Sequence, residues 1–270
     1  MNKNSNQLSK WQIAALSALT IVVALVIVGL FMNARDKAAA MSVPAETVAT
    51  SAPTEATLTE TEEAEPTVPE ETEPVMLAFM AELYEQNPEI VGWISIPDTL
   101  LSYPVMYTPE DPEKYLHLSF EENYSVGGIP FLDEDCSLDP ESDNLLIYGH
   151  NMNNGSQFAT IMDYENKAFW EEHPVIYLST LYETRTYEVL ACFRDRVYYK
   201  YEDVFKFYQF IDAEDEAAFD EAYNYFKNKS CYDTGVTAEY GDDLITLVTC
   251  AYHTDNGRFV VVAKRVHDDV

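Results

Sequence analysis

Near the C-terminus, a cysteine and an arginine stand eight residues apart on either side of a predicted turn. Residues 244–250 form an apolar run that ends in Cys250, and a second apolar run starts at Arg258, directly after an Asn-Gly pair. Asn-Gly favours a tight hairpin, so Cys250 and Arg258 are predicted to lie at the same end of two antiparallel strands. A guanidinium there can stabilise a thiolate or the oxyanion of a tetrahedral intermediate. Taken alone, the pair also fits a buried free cysteine beside a surface arginine.

A histidine follows another apolar run. Residues 145–148 are followed by Gly149 and His150, which places an imidazole at a strand end, where side chains face a rim instead of the core. Histidine is the side chain most often used for proton transfer near neutral pH. His253, three residues beyond Cys250, is the alternative partner for the thiol. The remaining histidines lie in polar or helix-flanking contexts: His117, His173 and His267.

The elements that would position these groups are mostly strands. Strand-like runs, rich in β-branched and aromatic residues, cover 91–96, 103–105, 128–132, 145–148, 175–179, 186–196, 243–249 and 258–266. Helices are predicted over 75–86, 155–162 and 213–227, from the spacing of their apolar residues. Many short strands with few helices predict a mostly β fold with flanking helices, built as a closed or nearly closed β-barrel.

The first 75 residues have the composition of appendages to this domain. Residues 13–34 are almost wholly apolar and long enough to cross a bilayer as a helix; lysines precede them, and nine glutamates follow within 35–75. We predict a cytoplasmic tail at 1–12, a single transmembrane anchor at 13–34, a disordered Glu/Thr/Pro-rich stalk at 35–75 and an extracytoplasmic domain at 76–270. A cleaved signal peptide is the alternative, and its apolar region is normally shorter.

Charge and cysteine usage narrow the classes of function. The chain carries a formal net charge of −31, which repels phosphate backbones and predicts no binding of nucleic acid. The four cysteines form no CxxC pair and no cluster with zinc spacing. Cys192 lies in an apolar run and is predicted to be a buried small hydrophobe. Cys136 and Cys231 fit both free thiols and a disulfide.

The motifs around these groups resemble the sortase family. Residues 246–250 (TLVTC) resemble its TLxTC motif, with Arg258 eight residues on, and residues 148–151 (YGHN) resemble its histidine segment. Four further segments are similar to class B sortases: LYEQNPEIVGWI at 83–94, YPV at 103–105, GGIPFLD at 127–133 and YDTG at 232–235. One departure is Val248, where many class B members have a small hydroxyl residue.

The resemblance implies an eight-stranded sortase β-barrel with an N-terminal helix and a long helix between strands 6 and 7. It implies a cysteine transpeptidase in which Cys250 is the nucleophile, His150 the acid/base and Arg258 the third catalytic group. By analogy, Leu116 and Val248 line the substrate groove. No metal or organic cofactor is implied.

The substrates implied are surface proteins with a C-terminal sorting motif, NPQTN-like or PPxTG/LPxTG-like, cleaved after threonine. The acyl group would pass to an amine of a cell-wall peptide, a lipid-linked wall precursor or a pilin, at the cell-wall side of the membrane. Two other interpretations remain open from the residues. One is an extracellular cysteine hydrolase without transfer, and the other is a non-catalytic stalked domain that binds the cell wall.

Overall fold

The computed structural model describes residues 74–267. The helices are α1 (Ala78–Gln86), α2 (Lys167–Glu172) and α3 (Glu216–Lys229), with 3₁₀ segments at Lys114–Leu116, Phe158–Glu165 and Phe207–Gln209. The strands are β1 (Ile90–Ser95), β2 (Ser102–Met106), β3 (Phe131–Leu132), β4 (Asn144–Tyr148), β5 (Val175–Thr180), β6 (Thr184–Arg196), β7 (Leu244–Cys250) and β8 (Gly257–Val266).

The eight strands close into a barrel in the order β1-β2-β3-β4-β7-β8-β6-β5, and β5 pairs back onto β1. This confirms the predicted eight-stranded β-barrel with flanking helices. On β1 buried and half-buried residues alternate, as expected for a strand with one face in the core. On β7 every residue before Cys250 is buried, because helices and loops cover the outer face as well.

The parallel pairing of β4 with β7 is the feature of the topology that matters most for function. Their register runs from Asn144 opposite Leu244 to Tyr148 opposite Val248. Because parallel strands end at the same edge, the residues that follow β4 and β7 emerge side by side. β8 then returns antiparallel to β7, so it begins at that same edge.

Helix α3 lies between β6 and β7, as the family resemblance implies. The Asp215 carboxylate accepts a hydrogen bond of 2.9 Å from the Ala218 backbone N–H, which caps the first turn. Phe219, Ala222 and Phe226 recur at helical spacing and are buried. The predicted start at residue 213 was two residues before this cap, and the helix extends to Lys229.

Several predicted boundaries were wrong for local backbone reasons. The predicted helix at 155–162 is a 3₁₀ segment that begins at Phe158, because Gly155 and Gln157 have φ angles of 80° and 56°. The predicted strand at 128–132 is reduced to Phe131–Leu132, since Gly128 has φ 50°. The six-residue helix α2 was not predicted; it is capped by the Asn166 side chain, which accepts from Ala168 N.

The structure also bears on the cysteines and the appendages. All four cysteines are free thiols; Cys136 and Cys192 are buried and Cys231 is exposed. The predicted tail at 1–12, the anchor at 13–34 and, apart from residues 74 and 75, the stalk at 35–75 lie outside the described residues. Among residues 74–267, no helix combines the length and apolar character needed to cross a membrane.

Candidate active site

The ends of β4 and β7 bring His150 and Cys250 together. Continuing the β4–β7 register two residues beyond Tyr148 and Val248 sets His150 opposite Cys250. Hydrogen bonds beyond the last paired residues keep the two segments in register. Gly149 N donates to Val248 O at 3.1 Å, and Thr249 Oγ1 donates to Gly149 O at 2.7 Å. The structure therefore places side by side two groups that stand 100 positions apart in the sequence.

Arg258 stands opposite Cys250 in the β7–β8 register, as the hairpin prediction requires. Its Nη1 donates to the carbonyl oxygens of Gly257, at 3.0 Å, and Asn256, at 3.3 Å. Among residues 74–267 it makes no ion pair with a carboxylate. Since a guanidinium carries five N–H donors, Nε and Nη2 remain for a ligand in the cavity.

His150 is held by the loop that contains Leu116. Its Nε2 lies 2.9 Å from the Leu116 carbonyl oxygen, and its ring stacks on that of His117 with centroids 5.8 Å apart. A carbonyl oxygen only accepts, so Nε2 carries the proton and Nδ1 is the nitrogen left for exchange with a substrate. This role of His117 is not visible in the sequence, because nothing in the spacing shows that its loop folds over the end of β4.

The five residues singled out by the sequence analysis line one cavity of about 410 Å³. Cys250, His150 and Arg258 are half-buried in its wall, which suits groups that must meet a substrate. Its remaining walls are mixed apolar and polar: Leu116, Val248, Phe131, Tyr148, Asp133, Glu113, Glu134, Pro112, Gly149, Thr249, Val197, Phe207 and Tyr208.

His253, the alternative partner for the thiol, does not line this cavity. It is exposed, and its ring packs against Gly257 on the β7–β8 turn. Of the two histidines that the sequence left open, only His150 lines the cavity together with Cys250 and Arg258.

Asp133 and Tyr148 line the cavity together with Arg258, and both are half-buried. Burial is the main cause that raises the pKa of both groups above their ordinary values. The nearby charge of Arg258 opposes the shift in the pKa of Tyr148. The three side chains thus form a polar part of the cavity wall, in which the guanidinium is the positive group. Among residues 74–267, no group of three or more His, Cys, Asp or Glu is placed to bind a metal.

Asn151 is a second residue that sequence reasoning did not single out, although it lies within the histidine segment. Its side-chain Nδ2 donates to the Cys250 carbonyl oxygen at 2.9 Å. Asn151 therefore connects the chain after β4 to the residue at the end of β7. This bond fixes the distance between the His150 and Cys250 backbones where the strand ladder has ended.

Gly128 is required for the loop that holds His150. A Cβ added at Gly128 would lie 2.3 Å from Tyr115 O and 2.5 Å from Leu116 O, and its φ is 50°. We expect Gly128→Ala to displace the Leu116 carbonyl that binds His150, to lower kcat/KM about tenfold and to lower Tm by several degrees. The measurements are peptide-cleavage kinetics and thermal unfolding monitored by circular dichroism.

Gly235→Ala is the matched control for this prediction. Gly235 also has a positive φ, of 76°, but an added Cβ there has no neighbour within 4 Å. The control carries a similar backbone strain without the clash and should keep its activity. An unchanged kcat/KM in Gly128→Ala would show that the Leu116 carbonyl does not position His150.

Comparisons with known proteins are consistent with this geometry. The Sortase domain model matches residues 94–266. Sortase B of Listeria monocytogenes is 32% identical over 192 residues, which cover 69% of this chain and 74% of that protein. The chain belongs to the sortase family. The matched range contains the last two residues of β1, the strands β2 to β8 and all five residues that the sequence analysis assigned to the site.

Solved structures place it in class B of the sortases. The Staphylococcus aureus sortase B–substrate complex matches with a TM-score of 0.64 at 27% identity, covering 72% of this chain and 88% of that chain. A sortase B complexed with triglycine matches with a TM-score of 0.62 at 29% identity, covering 70% and 86%. This sortase is therefore a class B cysteine transpeptidase that acts in sorting proteins to the cell wall.

Proposed function

We propose that this sortase uses Cys250, His150 and Arg258 to cleave a sorting motif after threonine and to transfer the acyl group to a cell-wall amine. The observation that carries the proposal is the meeting of the three side chains at one edge of the barrel, in one cavity. A thiol, a proton carrier and a fixed positive donor are the groups that acyl transfer through a thioester requires.

The first step forms the thioester. The Cys250 thiolate attacks the threonine carbonyl carbon, and the carbonyl oxygen becomes an oxyanion. Nη1 of Arg258 already donates to the Gly257 and Asn256 carbonyls, so Arg258 donates to the oxyanion through its other N–H groups. Collapse of the intermediate breaks the peptide bond, and the peptide after threonine leaves as an amine.

His150 moves the protons of both half-reactions through Nδ1. As imidazolium it protonates the leaving amine, and as imidazole it takes a proton from the incoming amine before that amine attacks the thioester. The Leu116 carbonyl holds Nε2–H throughout, so the ring keeps one orientation while Nδ1 changes its charge state. The products are a new amide bond and the regenerated Cys250 thiolate, with His150 again as imidazolium.

Substrate recognition is proposed to depend on the apolar part of the cavity wall. Leu116 stands beside the histidine, and Val248 lies two residues before the cysteine on β7. We propose that both contact the residues of a sorting motif that precede the threonine. The similar S. aureus sortase B was solved as a substrate complex, which supports a peptide in this position.

The acceptor and the anchor complete the proposal. We propose an amine of a cell-wall peptide, a lipid-linked wall precursor or a pilin as the nucleophile, since a related sortase B was solved with triglycine. Residues 13–34 would anchor the enzyme with residues 1–12 in the cytoplasm, and residues 35–75 would form the stalk. This arrangement would hold the catalytic domain where secreted substrates and wall precursors emerge.

A panel of quenched fluorescent peptides tests this function. The purified full chain in detergent is given NPQTN-, PPKTG- and LPxTG-like peptides, with and without triglycine or a lysine-bearing acceptor, and Cys250→Ala serves as the blank. We expect one motif class to be cleaved after threonine and the acyl part to appear joined to the acceptor. Cleavage with water as the sole acceptor would identify a cysteine hydrolase, and no cleavage of any motif would overturn the proposed substrate class.

Arg258→Ala should lower kcat/KM by about 10²- to 10³-fold, because it removes the donor to the oxyanion. Arg258→Lys should recover only part of the loss, since an ammonium cannot reproduce the fork geometry. Arg194→Ala removes an arginine on the neighbouring strand β6, outside the cavity, and should leave kcat/KM unchanged. Equal kcat/KM values for Arg258→Ala and the parent would remove Arg258 from the mechanism.

A further inference from the structure

Two of the cysteines that the proposed mechanism does not use lie against each other. Cys192 is on β6, and Cys231 follows Ser230, the residue that ends α3. The Cys231 backbone N–H donates to Cys192 O at 2.7 Å, and the Cys192 N–H donates to Ser230 Oγ at 3.2 Å. The segment after α3 is thus tied to β6 at the very residues that carry the two thiols.

The geometry of this pair suits a disulfide bond. Residues of antiparallel strands that exchange two such bonds have Cα atoms about 5.5 Å apart, within the range found for disulfides, and Cys192 and Cys231 share one of these two bonds. Each thiol also influences the pKa of the other, as expected for neighbouring side chains, and the Cys192 thiol donates to Tyr164 O at 3.1 Å. Cys231 is exposed while Cys192 is fully buried, so one sulfur of the pair is open to an oxidant in solution.

We propose that Cys192 and Cys231 form a regulatory or stabilising disulfide when this sortase meets an oxidising disulfide compound at the cell surface. The inference does not depend on the roles proposed for Cys250, His150 and Arg258. Extracytoplasmic proteins work where disulfides can form and persist, unlike proteins of the cytosol. The fraction of enzyme with the disulfide would therefore depend on the redox state of the compartment in which the enzyme acts.

The reaction is a thiol–disulfide exchange with a small-molecule disulfide, RSSR. The exposed Cys231 thiolate attacks one sulfur of RSSR and releases RS⁻, which leaves a mixed disulfide on Cys231. The Cys192 thiolate then attacks Cys231 Sγ and releases the second RS⁻. The two cysteines lose two electrons and two protons in total, and RSSR gains them to become two RSH.

The surroundings of the pair slow its oxidation. Burial is the largest cause that raises the pKa of Cys192 to about 12 and that raises the pKa of Cys231. Around Cys231, the charge of Glu165 also raises the pKa and the charge of Arg194 lowers it. Since the thiolate is the reactive species, oxidation by dissolved oxygen alone is expected to be slow at neutral pH.

The bond would close a loop that includes part of the active-site wall. Residues 193–230 lie between the two cysteines, and they contain Val197, Phe207 and Tyr208 of the cavity as well as α3. A cross-link across a loop of this length restricts the unfolded chain and stabilises the folded one. It would also keep α3 packed against β6. The residues of the cavity wall named above follow directly after β6 in the sequence.

The test uses the full chain in detergent, carrying Cys250→Ala so that the cavity thiol cannot react. After incubation with oxidised glutathione at mildly alkaline pH, we expect a mass lower by about 2 Da and a cross-linked peptide that joins Cys192 to Cys231. Thermal unfolding should shift upward by about 10 °C and return to its starting value after reduction.

Two further variants keep the test decisive. Cys231→Ala changes an exposed residue, so it should fold, but it should show neither the mass change nor the reversible shift in Tm. Cys136→Ala should show both. Free thiols at Cys192 and Cys231 after oxidation would overturn the proposal, and so would a glutathione adduct on Cys231 that Cys192 never displaces.

Discussion

Cys250→Ala should abolish both cleavage and transfer of a sorting peptide, a loss of about 10⁴-fold or more in kcat/KM. The alanine removes the atom that forms the thioester, and neither His150 nor Arg258 can replace it as a nucleophile. Cys250 is half-buried at the end of β7, so the substitution leaves no large void and the fold should be retained. The measurement is peptide turnover with the Tm recorded on the same sample.

Cys231→Ala is the matched control for this loss. Cys231 is the other accessible cysteine of the described residues, and it does not line the cavity of Cys250. Under reducing conditions this variant should turn over the peptide at the parental rate. If Cys250→Ala kept its activity while Cys231→Ala lost it, the nucleophile would have been assigned to the wrong thiol.

His150→Ala should lower kcat/KM by about 10³- to 10⁴-fold, because general acid/base catalysis of both half-reactions depends on its imidazole. The structure gives this histidine a fixed orientation through the 2.9 Å contact of Nε2 with the Leu116 carbonyl. Without the ring, the leaving amine has no proton donor and the incoming amine no proton acceptor. Turnover is measured with and without an acceptor amine, so that the two half-reactions are separated.

His253→Ala is the control that separates the two histidines left open by the sequence. His253 is exposed on the β7–β8 turn, outside the cavity, and its removal should leave kcat/KM within about twofold of the parent. Full activity in His150→Ala together with a large loss in His253→Ala would reverse the assignment of the acid/base.

The elements of the barrel were largely predictable because each strand has a strong local pattern. The β7–β8 hairpin is the clearest case, since its Asn-Gly turn and flanking apolar runs specify the pairing of Cys250 with Arg258 without long-range information. The position of His150 is different. Its approach to Cys250 depends on the parallel pairing of β4 and β7, which local patterns do not show. The family resemblance supplied the role of His150 but not this pairing.

The residues that support the site were the hardest to predict. His117 and Asn151 act through contacts between loops, a ring stack at 5.8 Å and a hydrogen bond of 2.9 Å to Cys250 O. No periodicity describes such loops, because their backbone is set by individual residues such as Gly128 with its φ of 50°. A cysteine pair such as Cys192 and Cys231 is equally hidden, since 38 residues separate them in the sequence.

The most direct test of the central claim is the mass of the enzyme during turnover. Full-chain sortase in detergent is mixed with a cleaved sorting peptide in the absence of acceptor amine, quenched in acid and analysed by intact-mass and peptide-mapping spectrometry. We predict an added mass equal to the peptide fragment ending in threonine, bound to Cys250 as a thioester and removed by a later pulse of triglycine. A fragment bound to another residue, or steady turnover with no covalent adduct in parent enzyme or in His150→Ala, would contradict the account.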